Sequence, residues 1–165
     1  MRRHQSNQAS TSVIDDAAAL ERVMTLMGIP GPSGEEEEIL GWIKRTLRHA
    51  GLPARAMRHD AAHRRTPING RCGNLIVRLP GTCRLPRRLL CAHVDTVPLC
   101  VGCRPTRRGN RVVSADPSTA LGADNRSSVG AILTALLEIL CHRLSNPPLT
   151  FVFVVQEEVG LQGMR

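Results

Sequence analysis

Residues 88–156 read as strand, helix and strand in that order. "RRLLCAHVDT" is a short apolar run that ends in turn residues. "NRSSVGAILTALLEILCHRLS" carries apolar residues at helical spacing over about 126–143, and "NPPLTFVFVVQEE" opens on a Pro-Pro turn and stays apolar from 149 to 155. Two strands joined through a helix pair in parallel, because only a crossover of a dozen residues or more brings the chain back to the same end of a sheet. The unbroken apolar run 149–155 predicts a strand covered on both faces. The fold class is therefore α/β, a mostly parallel sheet with helices on both faces.

The rest of the chain fits around that unit. "SVIDDAAALERVMTLMG" places Val13, Ala17, Leu20, Val23, Met24 and Met27 near helical spacing, with Asp15 and Asp16 early and Gly28 as a stop. In "IPGPSGEEEEILGWIKRTLRHAG" a Pro/Gly loop leads into a second helix, with Ser33 and Glu36 at capping-box spacing and Gly51 after its end. The four consecutive glutamates read as a solvated first turn favoured by the helix dipole. Residues 51–72 are polar, with one strand around 54–58. "GNLIVRLPG" reads as a further strand, and "RRGNRVVSAD" predicts a hairpin over 104–114 through its Gly-Asn turn. Residues 1–12 read as a flexible tail ahead of the folded portion, 13–165.

The net charge of +8 raises the possibility of nucleic-acid binding. The pattern argues against it. Lys44 is the one lysine, the arginines are scattered singly or in pairs, and aromatic residues make up 2% with no tyrosine, so base-stacking platforms are scarce. The apolar segments 131–140 and 149–155 are far short of the roughly 20 residues of a membrane helix. No apolar stretch follows the basic start "MRRHQSNQAST", so no secretory signal is read and a cytoplasmic protein is expected. In that setting the six cysteines are expected as free thiols. Cys100 and Cys103 form a C-x-x-C without the second pair that a structural zinc site needs.

In open α/β sheets, ligands gather at the carboxyl ends of strands. His93 and Asp95 leave the end of one strand, Glu157 and Glu158 leave the end of the other, and Asp124 stands at the mouth of the helix between them. Topology thus delivers three polar clusters to one edge. His93 and Asp95, two apart in extended chain, point to the same side, so the carboxylate can fix the imidazole tautomer while the other ring nitrogen binds a metal. "LGADN" surrounds Asp124 with small residues that leave room for an ion. Two adjacent glutamates are costly to bury unless cations or solvent compensate.

In this order, "HVDTVP", "LGADNRSSVGA" and "VVQEEVGLQG" resemble the co-catalytic zinc metallopeptidase family that includes peptidase T, carboxypeptidase G and aminoacylase. "IPGPSGEEEE" resembles the entry helix of its peptidase T-like branch. The resemblance implies that His93, Asp124 and Glu158 are metal ligands, with Asp124 bridging two Zn²⁺, that Asp95 steers His93, and that Glu157 is the general base. It implies a cis peptide bond after Asp124. Co²⁺ or Mn²⁺ could stand in for zinc. Two ions about 3.5–4 Å apart would activate a bridging water and polarise the scissile carbonyl, and Glu157 would carry the proton to the leaving amine.

The implied substrates are short peptides or N-acyl amino acids: aminopeptidase action is favoured, with deacylation and carboxypeptidase action as alternatives on the same metal core. No nucleic acid or membrane partner is implied, and a full-length form could be a homodimer. The family pattern also calls for an acid a couple of dozen residues beyond the Glu-Glu pair and a distant histidine. The 165 residues do not reach them, so the reading is the N-terminal portion of a catalytic domain, without the lid or dimerisation domain and inactive by itself. A non-catalytic metal-binding or interaction fragment is the reading from another class.

Overall fold

The computed structural model describes residues 14–165; the tail expected over 1–12 lies outside the described residues. Helix α1 spans Asp16–Gly28. Its cap is Asp15, whose carboxylate accepts from the Ala17 and Ala18 amides at 2.9 and 3.0 Å. Helix α2 spans Glu37–His49, with acids in its first turn and Arg48 and His49 in its last, as the helix dipole favours. Strands β1 (Met57–His59), β2 (Leu75–Leu79) and β3 (Arg88–His93) follow. The hairpin of β4 (Pro105–Arg108) and β5 (Arg111–Ser114) turns through Gly109, where φ is +64°. Helix α3 (Ala123–His142) and β6 (Leu149–Val154) complete the set.

The main sheet has the order β1-β2-β6-β3. β3 and β6 pair in parallel, from Arg88 opposite Leu149 to His93 opposite Val154, with α3 as the crossover. The other two pairings, β1 with β2 and β2 with β6, are antiparallel. The sheet is thus mixed, and the expectation of a mostly parallel sheet is corrected. The connections explain it. Residues 60–74 and 80–87 contain no crossover helix that could carry the chain back to the same end of the sheet.

The coverage of the sheet also differs from expectation. Leu75 and Val77 of β2, Ala92 of β3, and Leu149, Phe151 and Phe153 of β6 lie on one face. They share one core with Leu26 of α1, with Ile39, Leu40, Ile43 and Leu47 of α2, and with Val129, Leu133, Leu136 and Leu137 of α3. All three helices serve this single face. The alternate residues are bare by comparison: Arg78, Leu89 and Cys91 are exposed, and Ile76, Thr150 and Val152 are half-buried. Residues 149–155 are apolar but for Thr150, yet only every second side chain of the strand enters the helix-covered core.

α1 rests on α3 at a close approach, since a Cβ on Gly130 would lie 2.4 Å from Cγ2 of Val23. No helix among the described residues is long and apolar enough to cross a membrane.

Candidate metal centre

The parallel β3–β6 pair sets the site. His93 ends β3, residues 156–158 leave β6, and the start of α3 lies between them in sequence. α3 begins at residue 123, three residues earlier than the spacing indicates, and Asp124 and Asn125 depart from helical dihedrals. The Asp124–Asn125 peptide is cis, as the resemblance implies.

All five predicted residues come together. His93 Nε2 lies 3.1 Å from Oδ1 of Asp124 and 3.7 Å from Oε2 of Glu157. His93, Asp124 and Glu158 each offer one ligand atom, and these atoms all lie within 4.8 Å of one another. The Asp124 side chain is 85% exposed, so the group opens to solvent, while His93 is 9% exposed and Asp95 fully buried.

Asp95 does more than face the imidazole. His93 Nδ1 sits 3.2 Å from the Asp95 carbonyl oxygen and 3.5 Å from its Oδ1. The same carboxylate accepts from the Ser33 hydroxyl at 2.7 Å and from the backbone amides of Glu157 and Glu158, both at 3.0 Å. One buried carboxylate therefore joins β3, the loop before α2 and the glutamate pair.

Electrostatics follow from this packing. Burial opposes the His93 imidazolium, but the hydrogen bond and charge of Asp95 and the charge of Glu157 outweigh it and raise the pKa from 6.5 to about 9. Burial likewise pushes the Asp95 carboxyl up, and the bonds from His93, Ser33 and the two amides pull it below its ordinary value. Burial and the charges of Asp124, Asp95 and Glu157 together raise Glu158, with His93 acting against them. A cation between these groups would remove the repulsion.

Four further residues support the site and escape a reading of the sequence. Ser33 does not cap α2: its hydroxyl binds Asp95, and the helix begins after Glu36, whose side chain makes no cap bond. Glu36 is fully buried where a solvated turn was expected. Its Oε1 accepts from the amides of Gly34 at 2.7 Å and Gln156 at 3.1 Å, and burial raises its pKa to about 7. Arg126 is 1% exposed and donates from Nη1 to the Leu26 carbonyl at 3.0 Å; burial lowers its pKa to about 10 against the pull of Asp95. Gln156, fully buried with φ +56°, carries the chain from β6 into the glutamate pair.

The chain is similar to a tripeptidase from Staphylococcus aureus, at 27% identity and a TM-score of 0.81, covering 92% of this chain and 39% of that one. It is also similar to the aminopeptidase PepT from Bacillus cereus, at 25% identity and a TM-score of 0.82, with the same coverage. A probable carboxypeptidase from Aspergillus terreus is 29% identical over 97% of this chain and 36% of its own length. The chain spans two fifths or less of the length of these relatives. The model of peptidase family M28 matches residues 74–165, which include every candidate ligand, and the chain belongs to that family.

Proposed function

We propose that the chain carries part of the active site of a metal-dependent peptidase that releases residues from the amino ends of short peptides. The observation that carries this reading is the convergence of His93, Asp124 and Glu158 within 4.8 Å beside Glu157. The donor set suits zinc: one imidazole nitrogen and two carboxylates, with the second imidazole nitrogen turned toward Asp95 as a ligating histidine requires. His93, Asp124 and Glu158 would hold the ion, and the family resemblance implies that a second ion would share the site. Zinc held there supplies Lewis acidity toward the scissile carbonyl.

The chain's own residues do the remaining work. Glu157, one third exposed, faces the same opening and takes a proton from the attacking water at its carboxylate, then delivers it to the departing nitrogen. Asp95 fixes the Glu157 and Glu158 amides, and with them the direction in which both carboxylates leave the strand.

The aminopeptidase reading draws on the tripeptidase and aminopeptidase likenesses. Carboxypeptidase action is the second reading, drawn from the Aspergillus relative, and N-acyl amino acid deacylation would use the same donors. The test is zinc titration of the purified chain by competition with a chromophoric chelator. Activity of the longest natural form of the protein is then measured on tripeptides with free, blocked and acylated amino ends. Hydrolysis that requires a free amino end is expected. A chain that takes up no zinc refutes the metal reading, and turnover confined to acylated substrates refutes the aminopeptidase reading.

A further inference from the structure

The C-x-x-C of residues 100–103 lies outside the proposed chemistry, yet it is built against the segment that presents Asp124. The Cys103 amide donates to the Cys100 carbonyl at 3.1 Å, with Val101 at φ −65°, ψ 128° and Gly102 at φ +83°. This is a type II turn with cysteines at its first and last positions. Such a turn holds its outer Cα atoms within about 7 Å, overlapping the span of about 4.4–6.8 Å that a disulfide bridges.

Both side chains are buried, Cys100 at 8% and Cys103 at 5% exposed, and both face one short stretch of chain. Cys103 Sγ donates to the Leu121 carbonyl at 3.6 Å. Cys100 Sγ lies 3.5 Å from where a Cβ on Gly122 would stand. The Ala120 amide donates to the Leu99 carbonyl at 3.0 Å. The turn and the residue before it, Leu99, therefore touch three successive residues, 120 to 122, just ahead of Asp124. Three residues, 97–99, separate the turn from Asp95 and Thr96.

We infer that Cys100 and Cys103 form a redox-active dithiol, closed to an intrachain disulfide by low-molecular-weight disulfides, whose state sets the packing of residues 120–124. The step balances with oxidised glutathione. One thiolate attacks a glutathione sulfur and releases one glutathione; the second attacks the mixed disulfide and releases the other, so two electrons and both thiol hydrogens leave with the two glutathione molecules. A disulfide sulfur carries no hydrogen, so closure removes the donor that meets the Leu121 carbonyl. It also re-aims the Cys100 sulfur, which stands beside Gly122, toward Cys103. Among the other cysteines, Cys91 and Cys141 are exposed, while Cys72 and Cys83 are half-buried. None of these four has a second cysteine at turn spacing.

The test uses the whole chain, free of metal, across a range of reduced to oxidised glutathione ratios. Peptide mapping without reductant and amide hydrogen exchange over residues 119–126 are read together. The expected result is a peptide holding both cysteines that loses two hydrogens without gaining glutathione, while amides at 120–124 exchange about two- to fivefold faster, the size expected for losing one modest hydrogen bond. Cys103→Ser, which keeps a hydroxyl donor for Leu121, should hold the slow exchange at every ratio.

Glutathione adducts at Cys100 or Cys103 without a bridge, absence of oxidation, or a bridge with unchanged or slower exchange would each overturn the inference. Its bearing on hydrolysis rests on the metal reading above. Zinc titration of the two redox forms separates them: a reduced chain that binds no zinc refutes the metal reading and leaves the thiol result standing, whereas equal zinc affinity in both forms refutes the coupling to Asp124.

Discussion

Asp95→Asn keeps the shape of the side chain and removes its charge, and its cost can be worked from the bonds that the carboxylate makes. One carboxylate oxygen accepts from the Glu157 amide, the other from the Glu158 amide and the Ser33 hydroxyl. An asparagine has one acceptor oxygen and one donor nitrogen, so in either orientation its NH₂ meets a backbone N–H that needs an acceptor. Ser33 can rotate to accept; a peptide N–H cannot. One buried donor is stranded, at about 1–3 kcal/mol, and the charge-assisted character of the other bonds is lost, for a total of about 2–4 kcal/mol.

Urea denaturation of wild-type and variant chains, followed by circular dichroism, measures that loss. Ser33→Ala, which deletes one bond and leaves both amides satisfied, should cost about 1 kcal/mol. The glutamate pair is aimed through these amides, so zinc affinity should also fall in Asp95→Asn, by about tenfold or more. A variant as stable as wild type to within about 0.5 kcal/mol, with unchanged zinc affinity, would show that Asp95 does not tie the site together.

Glu157→Gln in the longest natural form should leave zinc binding intact and lower kcat by about 10²-fold or more, checked by steady-state assay beside metal analysis. Glu36 gives a pH signature: its folded pKa of about 7 exceeds the unfolded value of 4.5, so its stabilising contribution is full below pH 4.5 and is lost as pH rises through 7. The Glu36→Gln variant should lack this slope, which amounts to roughly 3 kcal/mol across the window; thermal melts of both proteins from pH 4 to 8 test it. Gly130→Ala should cost about 1–3 kcal/mol by pushing α1 off α3, and Val23→Ala should recover part of that loss in the double variant, as denaturant midpoints will show.

The site was more legible in the sequence than the sheet that carries it. His93, Asp95, Asp124, Glu157 and Glu158 stand at the ends of periodic segments, where strand direction alone brings them to one edge. Ser33, Glu36, Arg126 and Gln156 were not legible, because their roles depend on contacts made across great distances along the chain. Glu36 meets the Gln156 amide from 120 residues away. Within its run of four glutamates nothing local separates the buried one from the three that face water.

Strand direction was only half readable for a similar reason. The helix between β3 and β6 announces a parallel pair, whereas the insertion of β6 between β2 and β3 is a tertiary choice. The open face was hidden by composition, since Thr150 and Val152 have much the same β propensity whether a helix covers them or not.

The five clustered acidic and imidazole groups all lie between residues 93 and 158, on one β-α-β passage whose two strands are immediate neighbours. Their assembly is consequently a non-local event: residues 94–148 must be looped out and returned before the first ladder bond between β3 and β6 can form. A nascent or partly unfolded chain that has not closed this loop holds its potential ligands as scattered side chains with little grip on an ion. Metal capture can then serve as a readout of native β3–β6 pairing, and a spectroscopic ion such as Co²⁺ would time that closure directly.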